Sequence, residues 1–216
     1  MLDKSLCIGV VDTGTSNIKS VVYALGQYVS NIIIISKYEN VNRFDGIVVP
    51  GVGSFNHVMN NLHKTKLDDF IKDFIETSKP MFFICVGLQI LFEKSDEFIE
   101  SKGLHLLDGT VKKIPCDDKK RSVPMIGWNN INLKKNSKYF KNIPSSTQFY
   151  FIHSYYVDLK NKSFLHSEAN YKSFTYCSSI EFNNIFATQF HPEKSGIEGL
   201  KIYSNFIDVC DEEKNS

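Results

Sequence analysis

Apolar strand-like runs and amphipathic helical patterns alternate along the first 94 residues, and this alternation limits the possible folds more than any other feature. Four apolar runs have strand character, and segments with apolar residues at helical spacing separate them. We predict strands at 5–11, 32–35, 46–49 and 81–84, and helices at about 18–28, 55–62, 67–77 and 88–94. Strands joined by helices form parallel sheets, so the pattern predicts an α/β fold with a doubly wound, mostly parallel sheet.

The second half of the chain has a different pattern. After Gly109, short strand-like runs follow one another with few helices between them, and a last helix is predicted at about 196–210. These runs are predicted at 111–114, 128–133, 148–152, 174–180 and 185–190. We therefore predict an antiparallel extension of the sheet and an exposed loop at 117–121. The organisation predicted is one domain over residues 1–210, followed by a charged, frayed tail at 211–216.

Composition and charge exclude several classes of protein. The chain has 216 residues, of which 42% are hydrophobic and 23% charged, as is typical of a globular protein with a sizeable core. A formal net charge of +1 gives no reason to expect a nucleic-acid partner. No apolar run reaches about 18 residues and the start lacks a signal-peptide pattern, so we expect a cytoplasmic protein with no membrane partner. The five cysteines are scattered without a C-x-x-C pair, and we expect no metal and no cofactor.

The stretch Met-Phe-Phe-Ile-Cys-Val-Gly-Leu-Gln-Ile-Leu at 81–91 combines a strand, a sharp turn and a helical pattern. Cys85 ends the apolar run and Gly87 supplies the turn. This order is typical of a nucleophile elbow, in which the reactive side chain lies on a strained bend beside backbone N–H groups. A cysteine among apolar residues is more often a small core residue, but the turn and the helix favour the catalytic interpretation.

A histidine and a carboxylate that would complete such a site occur in Ala-Thr-Gln-Phe-His-Pro-Glu-Lys-Ser-Gly at 187–196. As ordinary loop residues, His191 would cap a strand end and Glu193 would be a solvated charge. Together with Cys85 they are instead a base and the carboxylate that orients it. Because nucleophile, base and carboxylate are the parts of an acyl-transfer site, these residues predict a cysteine-dependent amidase.

A glycine-rich turn, Pro-Gly-Val-Gly at 50–53, follows the third predicted strand. It is either a tight strand–helix loop or an oxyanion hole, in which a backbone N–H of Gly51, Val52 or Gly53 acts together with the N–H of Val86. It lacks the spacing of a phosphate-binding loop. Elsewhere, His153 ends an aromatic strand-like run, and the pattern alone favours a structural use of its side chain.

In these segments the chain resembles the class I (triad) glutamine amidotransferases, which have a flavodoxin-like fold. Within that family it resembles the glutaminase subunits of imidazole glycerol phosphate synthases, from about residue 6 to residue 206. The segments that carry the resemblance lie at 14–21, 50–53, 85–89, 123–129, 150–155 and 189–195. The resemblance implies that glutamine is hydrolysed to glutamate and ammonia through a γ-glutamyl thioester on Cys85, with His191 and Glu193 completing the triad.

The resemblance also implies roles for further residues. Gln89, Glu97 and the segment His153-Ser154-Tyr155 fall where the family binds glutamine, and a carboxylate at position 97 suits the α-ammonium group. The segment Gly51 to Gly53 matches the family's oxyanion strand. The residues that fall in segments facing the partner subunit are Asn17, Met125, Trp128 and Lys194.

The partner implied by the resemblance is a cyclase subunit with a (β/α)8 barrel, which forms a heterodimer with the glutaminase and receives its ammonia. That subunit makes imidazole glycerol phosphate and aminoimidazole-carboxamide ribotide, in histidine biosynthesis. Three residues depart from the family pattern: Phe83 and Ser16 replace glycines, and Met125 replaces a common histidine. Three alternatives stay open: a paralogous glutaminase that serves another synthase such as a surface-sugar amidotransferase, a non-catalytic regulatory scaffold, and a stand-alone γ-glutamyl hydrolase or peptidase.

Overall fold

The computed structural model of the chain describes residues 3–14, 17–98, 100–116 and 122–216. Ser16 and the loop predicted at 117–121 lie outside these residues. The strands and helices of the described part are, in chain order, β1 (Asp3–Val11), α1 (Ile18–Leu25), β2 (Val29–Ile35), β3 (Gly46–Gly51), α2 (Phe55–Thr65), α3 (Leu67–Ile75), β4 (Met81–Cys85), α4 (Val86–Ile90), β5 (Lys94–Ser95), β6 (Ser101–Lys102), β7 (Gly109–Lys113), β8 (Met125–Leu133), β9 (Gln148–His153), β10 (Tyr155–Leu159), β11 (Leu165–Tyr171), β12 (Phe174–Phe182), β13 (Ile185–Thr188) and α5 (Gly196–Lys214).

A nine-stranded sheet in the order β2-β1-β3-β4-β13-β12-β11-β8-β9 organises the molecule. Pairing is parallel from β2 through β13. It is antiparallel from β13 to β9. A second, four-stranded sheet has the order β10-β7-β5-β6. The predicted fold class, a mostly parallel α/β sheet with an antiparallel extension in the C-terminal half, is confirmed.

The burial of the central strands explains why their sequences are continuously apolar. All residues of β3, β4 and β13 are buried, because helices and connecting segments cover both faces of a parallel sheet. Phe82 of β4 stacks on Phe186 of β13 with 5.0 Å between ring centroids. The rings of Tyr203 and Phe206 from α5 pack on the same side chain. Strand β4, which ends at Cys85, therefore packs against both β13 and α5.

Two of the predicted helices need correction. The helix predicted at 88–94 covers Val86–Ile90 instead, because the backbone carbonyls of Ile90 and Leu91 accept hydrogen bonds from N–H groups of residues 104–107. The predicted frayed tail is wrong for residues 211–214, which continue α5. Lys214 Nζ ties that end down by donating to Ser5 O and to Asp45 Oδ2. No helix in the described ranges is both long enough and apolar enough to cross a membrane.

One buried histidine makes the stability of this fold depend on pH. His166 of β11 is 1% exposed and stacks on Phe140 with 5.4 Å between ring centroids. Burial lowers the pKa of His166 to about 4, and Lys135 acts in the same direction, so the folded ring is neutral at pH 7. In the unfolded chain a histidine has a pKa of about 6.5, so between these values the unfolded state binds the extra proton. The stability that the neutral ring contributes is present above pH 6.5 and is lost as pH falls towards 4.

His166→Gln is expected to flatten this loss of stability in acid. The free energy of unfolding, measured by urea denaturation between pH 4 and 7, should depend on pH less steeply, by about 1 kcal/mol per pH unit. Glu181, whose carboxylate lies 3.5 Å from His166 Nδ1, and Lys135 also act on the ring, and both stay in place. The exposed His105 provides the control, since His105→Gln should leave the slope unchanged. An unchanged slope in His166→Gln would contradict the prediction.

Candidate active site

Cys85 stands on a strained bend between β4 and α4. Its backbone has φ 57° and ψ −106°, a combination that a residue other than glycine adopts only when its surroundings impose it. The bend needs a glycine two residues later, because a Cβ on Gly87 would lie 2.2 Å from Val49 O. Phe83, at the position of the missing family glycine, is fully buried beside Ala187 of β13. The elbow therefore forms with phenylalanine at that position.

His191 and Glu193 reach the elbow because β13 is the direct neighbour of β4 in the sheet. His191 Nδ1 lies 2.8 Å from Glu193 Oε1, and each side chain is 1% exposed. Two donors hold the carboxylate: Asn17 Nδ2 at 2.6 Å from Oε1, and the Tyr203 hydroxyl at 3.4 Å from Oε2. With Nδ1 turned to the carboxylate, Nε2 is the ring nitrogen left for proton transfer.

The charges of Cys85, His191 and Glu193 depend on one another. Burial by itself opposes a charge on His191, but Cys85 and Glu193 more than offset it and raise the pKa of the imidazole to about 10. His191 Nε2 has no hydrogen-bond partner within the described ranges. A protonated imidazole beside the sulfur favours the thiolate, which is the reactive form of a cysteine nucleophile.

A cavity of about 420 Å³ adjoins the bend and brings the predicted site residues together. Its lining consists of Asn17, Val52, Gly53, Cys85, Val86, Gln89, Glu97, Pro124, Ile152, His153, Ser154, Tyr155, His191 and Lys194. Of the residues predicted for the oxyanion hole and for glutamine binding, Gly51 is the one outside the lining. It packs against the elbow, since a Cβ there would lie 2.8 Å from Gly87 N.

Two titratable groups of the lining have unusual surroundings. Glu97 is 9% exposed, and burial raises its pKa although the Phe55 N–H, 2.6 Å from Oε2, acts in the opposite direction. His153 Nδ1 donates to Tyr155 O at 2.9 Å, and burial lowers the pKa of this ring to about 4. His153 is therefore neutral, with a buried Nε2 that accepts no hydrogen bond from the described residues. The two groups offer the cavity a carboxyl oxygen and a neutral nitrogen acceptor.

One side chain of the site was missed from the sequence. Gln189 is fully buried, and its Nε2 lies 3.5 Å from Cys85 Sγ. Its Oε1 accepts from Gln89 Nε2 at 3.1 Å. The signal for it was its place two residues before His191, because alternate residues of an extended segment point to the same side.

The four residues predicted to face a partner have different surroundings. Asn17 is half-buried and bound to Glu193, and Lys194 lines the cavity with its Nζ 6.0 Å from the centre of the Tyr150 ring. Trp128 is 53% exposed. The prediction for Met125 is wrong: it is 4% exposed and its sulfur accepts a hydrogen bond from Tyr176. Met125 lies on the inner face of β8, where successive side chains alternate between core and solvent.

We predicted that the site holds no metal, and this stays a prediction. Away from the cavity, Glu93, His105 and Asp108 bring three ligand atoms within 4.8 Å of one another. Glu93 Oε1 in this group already accepts from Lys160 Nζ and from the Gly109 N–H.

Comparison with known proteins agrees with the geometry. The model of the family "Glutamine amidotransferase class-I" matches residues 9–209. Imidazole glycerol phosphate synthase subunit HisH of Methanosarcina mazei is 40% identical over 94% of this chain and 98% of its own length. HisH of Aquifex aeolicus is 39% identical over 91% of this chain and 94% of its own. The solved structure of PurLQS from Thermotoga maritima has a TM-score of 0.72 at 16% identity, over 94% of this chain and 98% of that one, which is a likeness in fold.

The chain belongs to the class-I glutamine amidotransferase family. The resemblance seen in the sequence is confirmed, and the chain is a glutamine amidotransferase. Among its relatives, HisH subunits are 39–40% identical over more than nine-tenths of the chain.

Proposed function

We propose that this chain is the glutaminase subunit of an imidazole glycerol phosphate synthase and works as a heterodimer with a (β/α)8-barrel cyclase subunit. It hydrolyses glutamine and supplies the ammonia with which the cyclase makes imidazole glycerol phosphate and aminoimidazole-carboxamide ribotide. The observation that carries the proposal is one cavity holding Cys85, His191 and the expected glutamine ligands, in a chain so similar to HisH subunits.

The chemistry follows from the geometry of the elbow. The Cys85 thiolate attacks the side-chain amide carbon of glutamine, and the negative charge moves to the amide oxygen. The N–H of Val86 and an N–H of the loop Gly51–Gly53 stabilise that oxygen in this proposal, which is supported by the place of Val52, Gly53 and Val86 in the cavity lining. His191 gives its Nε2 proton to the nitrogen, the C–N bond breaks, and ammonia leaves a γ-glutamyl thioester. His191 then takes a proton from water, which attacks the thioester and releases glutamate and the thiolate.

The α-ammonium group of glutamine is bound by hydrogen-bond acceptors. Gln89 Nε2 donates to Tyr155 O and to Gln189 Oε1, both at 3.1 Å. Since both N–H groups are used, the Gln89 amide oxygen is the atom that can accept from a substrate. Together with the Glu97 carboxylate it suits an α-ammonium group, which donates three hydrogen bonds and carries a positive charge.

Glu97→Gln is expected to weaken glutamine binding more than it slows turnover. The amide oxygen of the variant still accepts from the Phe55 N–H, so the loss is that of the negative charge facing the ammonium group. We expect KM for glutamine to rise by about 10- to 100-fold with a much smaller change in kcat, measured by glutamate release. The exposed Glu100, which pairs with Lys94, is the control, since Glu100→Gln should change neither constant. An unchanged KM in Glu97→Gln would remove Glu97 from the binding site.

An exposed apolar surface beside the cavity supports the proposal of a partner. Ile126 is 59% exposed and pairs across β8 and β9 with Ile152, which is 37% exposed and lines the cavity. The next outward pair is Trp128 with Tyr150, whose rings meet edge to face at 5.9 Å. Neighbouring exposed aromatic and aliphatic side chains are typical of protein interfaces. A cyclase docked here would cover the cavity and keep ammonia out of bulk water.

The proposal is tested by glutamate release from glutamine, by the chain alone and with a cyclase subunit and its ribotide substrate. We expect the chain alone to be nearly inactive and the loaded partner to activate it strongly. Without activation, but with Cys85 still labelled by a glutamine-like affinity reagent, the chain would be a glutaminase for a different synthase. Full activity alone would make it a stand-alone hydrolase, and failure to form any thioester would make it a scaffold.

A further inference from the structure

Gln189 contacts the atom at which the proposed reaction takes place. Its Nε2 lies 3.5 Å from Cys85 Sγ, and the whole side chain is excluded from solvent. A side-chain amide has a donor end and an acceptor end, and they have opposite effects on a neighbouring sulfur. The donor end favours the thiolate and the acceptor end favours the thiol.

A backbone carbonyl determines which end of the Gln189 amide faces the Cys85 sulfur. Tyr155 O can only accept, so the Gln89 side chain must turn its NH2 group towards it. The second N–H of that group points at Gln189, which must present its oxygen. The Gln189 NH2 group is then left facing Cys85 Sγ. This orientation follows from a chain of three contacts, and reversing either amide would bring two donors or two acceptors together.

The hydrogen bonds that the Cys85 sulfur can make depend on whether it is a thiol or a thiolate. A thiol can donate to Ile152 O, which lies 4.0 Å from Sγ, whereas a thiolate has no proton to donate there. A thiolate accepts more strongly than a thiol from Gln189 Nε2. The bond from Gln189 therefore gains strength when Cys85 ionises, and again when the thioester breaks and the sulfur leaves as a thiolate.

We propose that Gln189 stabilises the Cys85 thiolate through its amide N–H, and that Gln89 and Tyr155 O set the direction of that amide. This role deepens the proposed glutaminase function and rests on it. Gln189 is buried next to the sulfur and is not among the residues that line the cavity. Loss of the N–H should leave a correctly built triad with a less ionised nucleophile.

The test is the rate of Cys85 alkylation by iodoacetamide as a function of pH, followed by mass spectrometry of the peptide that contains Cys85. Thiolate is the reacting form, so the midpoint of the profile reports ionisation of the Cys85–His191 pair. In Gln189→Glu the carboxylate still accepts from Gln89 but donates nothing to sulfur. We expect its midpoint about one to two pH units above that of the unaltered chain, through the lost N–H and the added negative charge together. Gln189→Met, which adds no charge, should shift the midpoint in the same direction by a smaller amount.

Thr188→Val is the matched control. Thr188 is equally buried and adjacent in the chain, and its hydroxyl donates to Phe190 O. Its substitution should leave the midpoint for Cys85 unchanged. The alkylation profile of the exposed Cys116 should be the same in every variant. The other ionisable side chains of the cavity, Glu97, His153, Tyr155, His191 and Lys194, are the same in all variants.

A midpoint in Gln189→Met equal to that of the unaltered chain would overturn the proposal, because this variant removes the N–H without adding a charge. If Gln189→Met does not fold, as judged by its thermal unfolding, Gln189→Leu replaces it, since it too has no N–H and no charge. Alkylation needs neither glutamine nor a partner, so this result is separate from the proposed function. A shifted profile in a chain that no cyclase activates would retain the role of Gln189 and reject the synthase.

Discussion

Cys85→Ala is expected to lower glutamine hydrolysis by at least about 10⁴-fold, because no other group at the bend can form the thioester. Alanine keeps the Cβ and loses only the sulfur, and Cys85 is 3% exposed, so the substitution leaves the surface of the chain unchanged. The complex with a cyclase subunit should therefore keep its affinity. Glutamate release by the assembled pair and size-exclusion chromatography of the complex measure the two results.

The control for Cys85→Ala is a second buried cysteine. Cys177 lies on β12 and is 6% exposed, so Cys177→Ala removes a buried thiol of the same size from a different part of the sheet. This variant should hydrolyse glutamine at nearly the rate of the unaltered chain. Retained hydrolysis in Cys85→Ala would show that the nucleophile is another group.

Glu193→Gln is expected to lower kcat by about 10³- to 10⁴-fold while changing KM little. Glu193 Oε1 accepts from both His191 and Asn17, and an amide in its place has a single acceptor oxygen. The amide oxygen can keep both contacts, with the NH2 group beside the Tyr203 hydroxyl, but the amide has no negative charge to stabilise the protonated ring. The imidazole then holds its proton less readily and delivers it to ammonia more slowly.

Tyr203→Phe separates the charge of Glu193 from the hydrogen bonds around it. The Tyr203 hydroxyl lies 3.4 Å from Glu193 Oε2, and its ring packs on Phe82. The phenylalanine keeps the packing and loses a long hydrogen bond, so we expect less than about a tenfold fall in kcat. If kcat fell no further in Glu193→Gln than in Tyr203→Phe, Glu193 would not be the group that orients His191.

Most of the parallel half of the fold could be predicted from local patterns. Strands such as β3 and β4 are buried on both faces, so they are continuously apolar in the sequence and stand out from the helices between them. Strand β11 was missed because its sequence, Leu-His-Ser-Glu-Ala-Asn-Tyr, contains buried polar side chains. Ser167, for example, is fully buried and hydrogen-bonded to Ser178 and Ser179 on β12. Such a strand is defined by its neighbours and not by its own hydrophobicity.

The elbow, the triad candidates and the α/β sheet could be predicted from the sequence, since they depend on residue type and on spacing within short segments. Tertiary structure alone decided that Met125 is buried and that Gln189 faces the sulfur. Burial of Met125 depends on which face of β8 meets the core, and the Gln189–Cys85 contact joins residues 104 positions apart. The direction of the Gln189 amide depends on Gln89 and on a backbone carbonyl of β10. Contacts between distant segments have no local sequence pattern, because they arise only when the chain packs.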